Sequence, residues 1–563
     1  MLAAVAVLLA VSGGVRATVG GLRISARSPL PAAVIAVAAA SAWWLLARRA
    51  KSITRDLDEA WAAIEQRGVW LVVAVAIASG AVSAMFATNS AAGADASGYL
   101  SEAAQWAAGR LYYQEPLAGI VGAFDAWLTT PLGWRPGPFP GWQSPTYPPG
   151  LPLLMALPYA FGGTAAAAFV VTLASALAVW ATGTIATRLA GGAAGIIAAV
   201  AIATSPIFLY QSVQPMSDVP VSAAWMLMWV LLVQRGDKPL GLSFIAGIAC
   251  AIAVLIRPNL APLAAVPLFA IGWNRRRLIG FSIPVALAGA GLMWLQWQWY
   301  GSPLRSGYGA ADELFTLANT AGNAGRYFSW LVATSPLLLV APIGVVMLRR
   351  ERFTQALATF AGLVVVAYLV YAVFDVWSYL RFLLPMMTVA AVFTGVAFAA
   401  ALRRAPAWSR VAAVLIVVLG LAAFGVSQAR ARETFRLADR QRHVSQTAEF
   451  LATLPTHTVV VAGEQSGSLR YYTGLSVLRW DAATVESLVS ALVALGAAGK
   501  PVVIALDAWE QAPFRAKLGA VPSVSLEWPP AFEAGTSHRT RVWRLGDRDT
   551  FLRGERVATE RVP

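Results

Sequence analysis

Twelve apolar runs, each nearly free of charge, leave this chain little choice of fold. They lie near 30–47, 69–87, 164–187, 192–209, 219–234, 240–256, 259–273, 278–299, 329–348, 354–374, 380–401 and 408–427. A run of ~18 apolar residues is long enough to cross a bilayer as a helix. Charged residues make up 13% of the chain, against about 25% in an ordinary soluble domain, so most of it is expected in lipid. The stretch 1–12 is apolar but short and has no basic flank, which makes it a poor signal peptide and leaves open whether residues 1–14 span. The expectation is a polytopic α-helical membrane protein with about 11–13 spanning helices.

The formal net charge is +15. Nucleic-acid binding is the first reading of so basic a chain, and the placement of the charge excludes it, because the basic residues mark helix ends. One set of alternate loops carries Arg48, Arg49, Lys51, Arg55 and Arg67, then Arg188, Arg235 and Lys238, Arg275 to Arg277, Arg349, Arg350 and Arg352, and Arg403, Arg404 and Arg410. The other set carries only Arg110, Arg135, Arg257, Arg305, Arg326 and Arg381. Cytoplasmic loops collect Lys and Arg, so the second set is expected to face outward. Arg16, Arg23 and Arg27 run against this rule. The segment Leu22–Arg27 alternates apolar and polar residues, as a short amphipathic strand would. The lone cysteine, Cys250, allows no intrachain disulfide, and all three histidines follow the last span. A histidine metal site within the membrane part is thereby excluded.

Three domains are expected: an N-terminal segment over 1–68, a membrane domain over 69–427 with a long first outward loop at 89–150, and a tail over 428–563. The tail reads as a small α/β domain. Thr458–Ala462 and Pro501–Leu506 are expected as buried strands, 482–498 as an amphipathic helix, and Ser523–Trp528 and Thr540–Leu545 as later strands. Gly463-Glu-Gln-Ser-Gly467 follows a strand, as a phosphate-binding turn would. It matches neither dinucleotide nor Walker pattern, so nucleotide binding is not the expectation.

Chemistry-bearing residues gather at the outward face. Asp95, Tyr99 and Glu102 lie in the first loop, Asp218 at the mouth of a span, Arg257 between two spans, Arg305 and Tyr308 in a later loop, and Arg381 before another span. Carboxylates and guanidinium groups at one membrane face suit sugar transfer from a polyprenyl-phosphate carrier. The phosphate leaving group needs no general acid, a single carboxylate can take the proton of the attacking hydroxyl, and arginine binds phosphate oxygens bidentately. Plainer roles are also open. Ser217 and Asp218 can cap the helix that begins at Pro220, Arg257 and Arg381 can snorkel, Trp294, Trp297 and Trp299 can anchor at the interface, and Tyr147-Pro-Pro149 can stiffen the loop.

The ordered motifs Asp95-x-x-x-Tyr99-Leu100, Tyr147-Pro-Pro149, Pro215-Met-Ser-Asp218, Arg257-Pro-Asn259, Ser302-Pro-Leu-Arg-Ser-Gly-Tyr-Gly309 and Leu380-Arg-Phe-Leu-Leu-Pro385 resemble those of GT-C glycosyltransferases. Within them the similarity is to bacterial protein O-mannosyltransferases and lipid A aminoarabinose transferases (glycosyltransferase family 39-like), over roughly residues 69–427. The resemblance implies a bacterial inner-membrane enzyme with Asp95 as catalytic base. Asp218 would support the site, and Tyr99, Glu102, Arg257, Arg305, Tyr308 and Arg381 would bind substrate. Asp95 and Asp218 are also the pair that would share Mg2+ or Mn2+ if a divalent cation is used. Expected partners are a polyprenyl-phosphate sugar and a glycan, lipid or protein acceptor. Asp95 is followed by Ala96, where such mannosyltransferases commonly carry Asp-Glu. The competing functions are a transporter or flippase of lipid-linked saccharides, which should show midplane charges and internal repeats, and a membrane scaffold whose tail binds a partner.

Overall fold

The computed structural model describes residues 53–121, 125–233, 240–536 and 538–563, together with the backbone of two strands, β1 (Val15–Val19) and β2 (Leu22–Ala26). These pair as an antiparallel hairpin, so the alternating Leu22–Ala26 segment is a strand. The expected span at 30–47 and the segment 1–14 lie outside the described residues.

Among the described residues six helices are long and apolar enough to cross a membrane, or eight if each of two bent pairs counts as one span. Helix α1 (Ile53–Phe86) begins well before its apolar half, with a polar lead of Arg55, Asp56, Asp58 and Glu59. Helix α2 (Gly93–Ala107) belongs to the first loop. Helix α3 (Gly150–Ala190) starts earlier than the expected 164, because the chain is helical on both sides of a kink at Gly162 and Gly163. Helix α4 (Gly192–Ala203) and α5 (Pro206–Ser212) replace one expected span by two pieces bent 64°. Helix α6 (Asp218–Leu232) follows, then α7 (Leu240–Ile256), which coincides with its expected run. The expected span at 259–273 is instead a 3-10 stretch, Pro258–Ala265, continued by a short helix Val266–Ile271; Pro258 and Pro262 break the α pattern by withholding N–H donors.

Helix α8 (Arg275–Tyr300) and α9 (Thr320–Thr334) come next. The run expected at 329–348 is bent by 111° between α9 and the segment Pro336–Met347. Both bends fall at Ser-Pro, where the proline ring pushes the preceding residue out of the helical region. Ser205 and Ser335 accordingly leave helical geometry, and their hydroxyls hydrogen-bond to each other at 3.1 Å inside the bundle. Helices α10 (Arg352–Leu369), α11 (Leu384–Arg404) and α12 (Ala407–Ala431) complete the membrane part. Helices α6 and α11 are buried along nearly their whole length, and Trp225 and Trp229 of α6 pack against Phe360 of α10. Leu157, Phe161, Trp273 and Ile416 face outward, as lipid-facing residues should. At the basic end, Arg188 donates to the Val230 carbonyl and Arg403 to the Ala190 carbonyl, tying helix ends together.

The loop between α1 and α3 is folded. It carries α2 and a three-stranded antiparallel sheet of β3 (Tyr113–Gln114), β4 (Trp134–Pro136) and β5 (Trp142–Pro145), with β5 central. The tail holds a six-stranded mixed sheet. Strands β6 (Val459–Ala462), β7 (Ser476–Arg479) and β8 (Val502–Asp507) run parallel, with β7 at the sheet's edge, and β6 and β8 up to Leu506 are apolar because helices cover both faces. Strands β9 (Phe532–Ala534), β10 (Thr540–Arg544) and β11 (Glu560–Val562) extend it through antiparallel β8–β10 pairing. The strand expected at Ser523–Trp528 is absent: Pro522–Val524 is a 3-10 turn and Leu526 takes a left-handed φ of 58°.

The tail docks directly on the first loop. Arg470, from helix α13 (Ser466–Thr473), enters the loop sheet buried, with its guanidinium 4.2 Å from the Tyr113 ring and 4.7 Å from Trp134. It donates to Gln143 Oε1 and stands 3.9 Å from Glu115, whose carboxylate also accepts from Ser476 and Gln143. Burial, opposed by Tyr113 and Glu115, lowers the Arg470 pKa to about 10. Gly467 lies where a side chain would run into the Leu132 carbonyl and the Ser97 hydroxyl, so α13 rests almost backbone to backbone on the loop.

Candidate active site

Helix α2 lies across the mouth of the bundle and presents Asp95 in its first turn. Asp95 Oδ1 accepts from the Tyr147 hydroxyl at 2.7 Å, and Oδ2 accepts from Arg381 Nη2 at 2.8 Å. Tyr147 reaches it because Gly98, one turn along α2, has no side chain: a Cβ there would occupy the Tyr147 ring. Burial first, and the charge of Asp95 second, push the Tyr147 hydroxyl well above its ordinary range, so it remains a donor. Arg381 is held from the 3-10 segment Trp377–Leu383, where its guanidinium sits 5.0 Å from the Tyr379 ring and 5.4 Å from Phe382. Arg381 Nε is buried and has no hydrogen-bond partner among the described residues.

A second ion pair lies deeper. Asp218 opens α6 and pairs with Arg257, which follows α7. Both are buried, so Arg257 does not snorkel. Arg257 Nη1 also donates to the Tyr368 hydroxyl at 3.1 Å, which accepts from Asn259 at 3.1 Å as well. Ser217 stands at the N-cap position of α6 but makes no side-chain cap; its hydroxyl accepts from the Tyr99 hydroxyl at 2.9 Å. The Tyr99 and Tyr147 ring centroids are 4.7 Å apart, so Tyr99 joins the outer pair to the inner one. The Tyr308 ring packs edge-on to Tyr147 at 5.9 Å, while the residue itself is partly exposed.

Six of the eight expected residues thus converge: Asp95, Asp218, Tyr99, Arg257, Tyr308 and Arg381. Two stand apart. Arg305 is exposed on its loop. Glu102 lies two turns along α2 from Asp95; it is buried rather than on a helix surface, and accepts from Trp106 Nε1 at 3.0 Å. Burial raises its pKa well above the carboxylate range. Trp299 is not an interface anchor: it is buried and donates to the Leu111 carbonyl, whereas Trp294 and Trp297 are exposed. Asp95 and Asp218, the pair that would share a divalent cation if one is used, each hold an arginine. No group of three or more His, Cys, Asp or Glu converges elsewhere among the described residues. Sequence reasoning gave no site role to Tyr147, Tyr368 and Tyr379, which contact Asp95, Arg257 and Arg381 directly, or to Asn259, which donates to the Tyr368 hydroxyl.

The sequence model of the family described as dolichyl-phosphate-mannose-protein mannosyltransferase matches residues 146–299. That span includes Tyr147, Asp218 and Arg257 and leaves out Asp95 and Arg381. A search of curated proteins gave no match. Among solved structures, ArnT from Cupriavidus metallidurans bound to undecaprenyl phosphate superposes with a TM-score of 0.55, covering 85% of this chain and 98% of that one at 14% identity. The apo form of the same protein gives 0.53, with 85% and 97% covered, also at 14% identity. The Archaeoglobus fulgidus oligosaccharyltransferase is more distant, at 0.49 and 13% identity over 78% and 70% of the two chains. The fold is shared with ArnT, and residues 146–299 are similar to the mannosyltransferase family.

Proposed function

We propose that this chain is an integral membrane glycosyltransferase that moves a sugar from a polyprenyl-phosphate carrier to an acceptor hydroxyl at the outer face of a bacterial inner membrane, with Asp95 as the base. The observation that carries the reading is the Tyr147–Asp95–Arg381 constellation at the junction of loop and bundle. Two hydrogen bonds, one to each oxygen, hold the carboxylate in a single orientation, which is the positional part of general-base catalysis. Each oxygen keeps a further lone pair for an incoming O–H. The neighbour ArnT was solved with undecaprenyl phosphate, which supports a lipid-phosphate donor here.

In the reaction, Asp95 takes the proton of the acceptor hydroxyl as its oxygen bonds to the anomeric carbon. The bond from that carbon to the phosphate oxygen breaks, and the carrier leaves as polyprenyl phosphate. In-line attack inverts the anomeric centre. Arg381, with its unpartnered buried Nε, is placed to meet the charge that grows on the departing phosphate. Arg257 orders the inner wall through Asp218 and Tyr368. The Lys and Arg bias of the alternate loops supports the outward placement.

The test is transfer from a panel of radiolabelled polyprenyl-phosphate sugars by purified protein in lipid, with a membrane extract as acceptor pool. Wild type should move label and Asp95→Asn should not. Equal transfer by both would remove Asp95 from the role of base.

A further inference from the structure

The turn Gly463–Gly467, which follows β6, has the position of an anion-binding turn, and the structure shows what fills it. Glu510 Oε1 accepts the Glu464 N–H at 3.0 Å and Trp480 Nε1 at 3.3 Å, while Oε2 accepts the Asp507 N–H at 3.0 Å. A Cβ on Gly463 would collide with Glu510 and Trp480, so the turn closes tightly over this buried acid. One carboxylate is thus used to fix the backbone of a second acidic residue, Glu464.

The Glu464 carboxylate itself has no hydrogen bond or ion pair among the described residues, and it is only partly buried. It reaches from the tail to the start of α2. A Cβ built on Gly93, two residues before Asp95, would lie 4.0 Å from Glu464 Oε1. Burial, then the charges of Asp507, Asp95 and Asp481, raise the Glu464 pKa, against Arg479, which Asp481 already holds.

We propose that Glu464 determines acceptor specificity, accepting hydrogen bonds from the hydroxyls of a sugar or polyol acceptor as it approaches Asp95. This rests on the glycosyltransferase reading above. An unpaired carboxylate repels a phosphate and therefore does not suit the carrier. It is acceptor-only, with two oxygens spaced for neighbouring hydroxyls. Arg381 and Arg257 stand on the bundle side of Asp95 and Glu464 on the tail side, so donor phosphate and acceptor hydroxyls are assigned opposite walls of the site.

The experiment uses full-length protein in lipid nanodiscs, labelled polyprenyl-phosphate sugars of the panel as donors, and envelope glycolipid extract as acceptor. Wild type and Glu464→Gln are compared for half-saturation in donor and, separately, in extract. The expected result is at least a tenfold rise in the extract needed, with donor half-saturation and thermal unfolding as in wild type. Unchanged dependence on extract, or a matching loss in donor affinity, overturns the proposal. A wild type that binds undecaprenyl phosphate but moves no label from any donor overturns instead the reading on which it rests.

Discussion

Asp218–Arg257 and Asp95–Arg381 are built from the same two groups and lie on neighbouring elements, yet they differ in solvent access. The inner pair is closed, with the Asp218 side chain 1% exposed, whereas the Asp95 side chain is 31% exposed. Taking two charges out of water costs several kcal/mol, and the mutual attraction of a buried pair roughly offsets this. The inner pair therefore adds little net stability but penalises any change to one member. The outer pair, open to water on its Asp95 side, can exchange an arginine contact for a substrate contact at smaller cost. On the proposed function, the same chemistry serves as a fastener in one place and as a working site in the other.

The comparison can be broken most directly at Asp95. Asp95→Asn should lower transfer by about 10²–10⁴-fold, the usual contribution of a positioned base, while thermal unfolding stays near wild type. Asp218→Asn should do the reverse in kind, costing roughly 3–5 kcal/mol of stability because it strands the Arg257 charge; denaturant titration in detergent reads it. Replacing both inner residues, as in Asp218→Leu with Arg257→Met, should recover much of that loss, whereas no double replacement at Asp95 and Arg381 should recover transfer. Arg381→Lys keeps the charge but loses the planar fork. It should weaken undecaprenyl phosphate binding by about 10-fold, as expected for one charge-assisted hydrogen bond of ~1.5 kcal/mol. A flat response would make Arg381 a partner of Asp95 only.

Smaller effects sharpen the contrast from the tail. Arg470→Leu should cost on the order of 2 kcal/mol by leaving Glu115 buried without its cation, seen as faster hydrogen exchange in β3 and β5. The pKa of Glu510 is pushed up to about 7 by burial, partly opposed by the N–H donors of Asp507 and Glu464. A carboxyl raised in the folded state binds its proton more tightly there than in the unfolded chain. Its contribution is present in full below about pH 4.5 and is lost as the pH rises through 7, by roughly 1–3 kcal/mol. Protection of the Glu464 amide should fall over that window, and Glu510→Gln should flatten the fall.

Much of the architecture was readable without coordinates because lipid enforces it. The run 240–256 became a helix with those bounds. The bends at Ser205-Pro206 and Ser335-Pro336 were missed because averaged hydropathy does not register one lost N–H donor. The buried tail strands were visible as apolar runs, while Ser523–Trp528 misled because Leu526 adopts a left-handed turn.

Sequence alone determined that the chain is a helical membrane protein with acids and arginines collected at one face, since burial of apolar residues and charge sidedness act on each segment separately. Only the tertiary structure decided which acid meets which arginine. Tyr147 lies 52 residues from Asp95 in the chain and Arg381 lies 286 away, and Glu510 holds Glu464 across 46. Such pairings depend on how helices and turns are juxtaposed in space, on absent side chains such as those of Gly98 and Gly463, and on the water that remains around each charge.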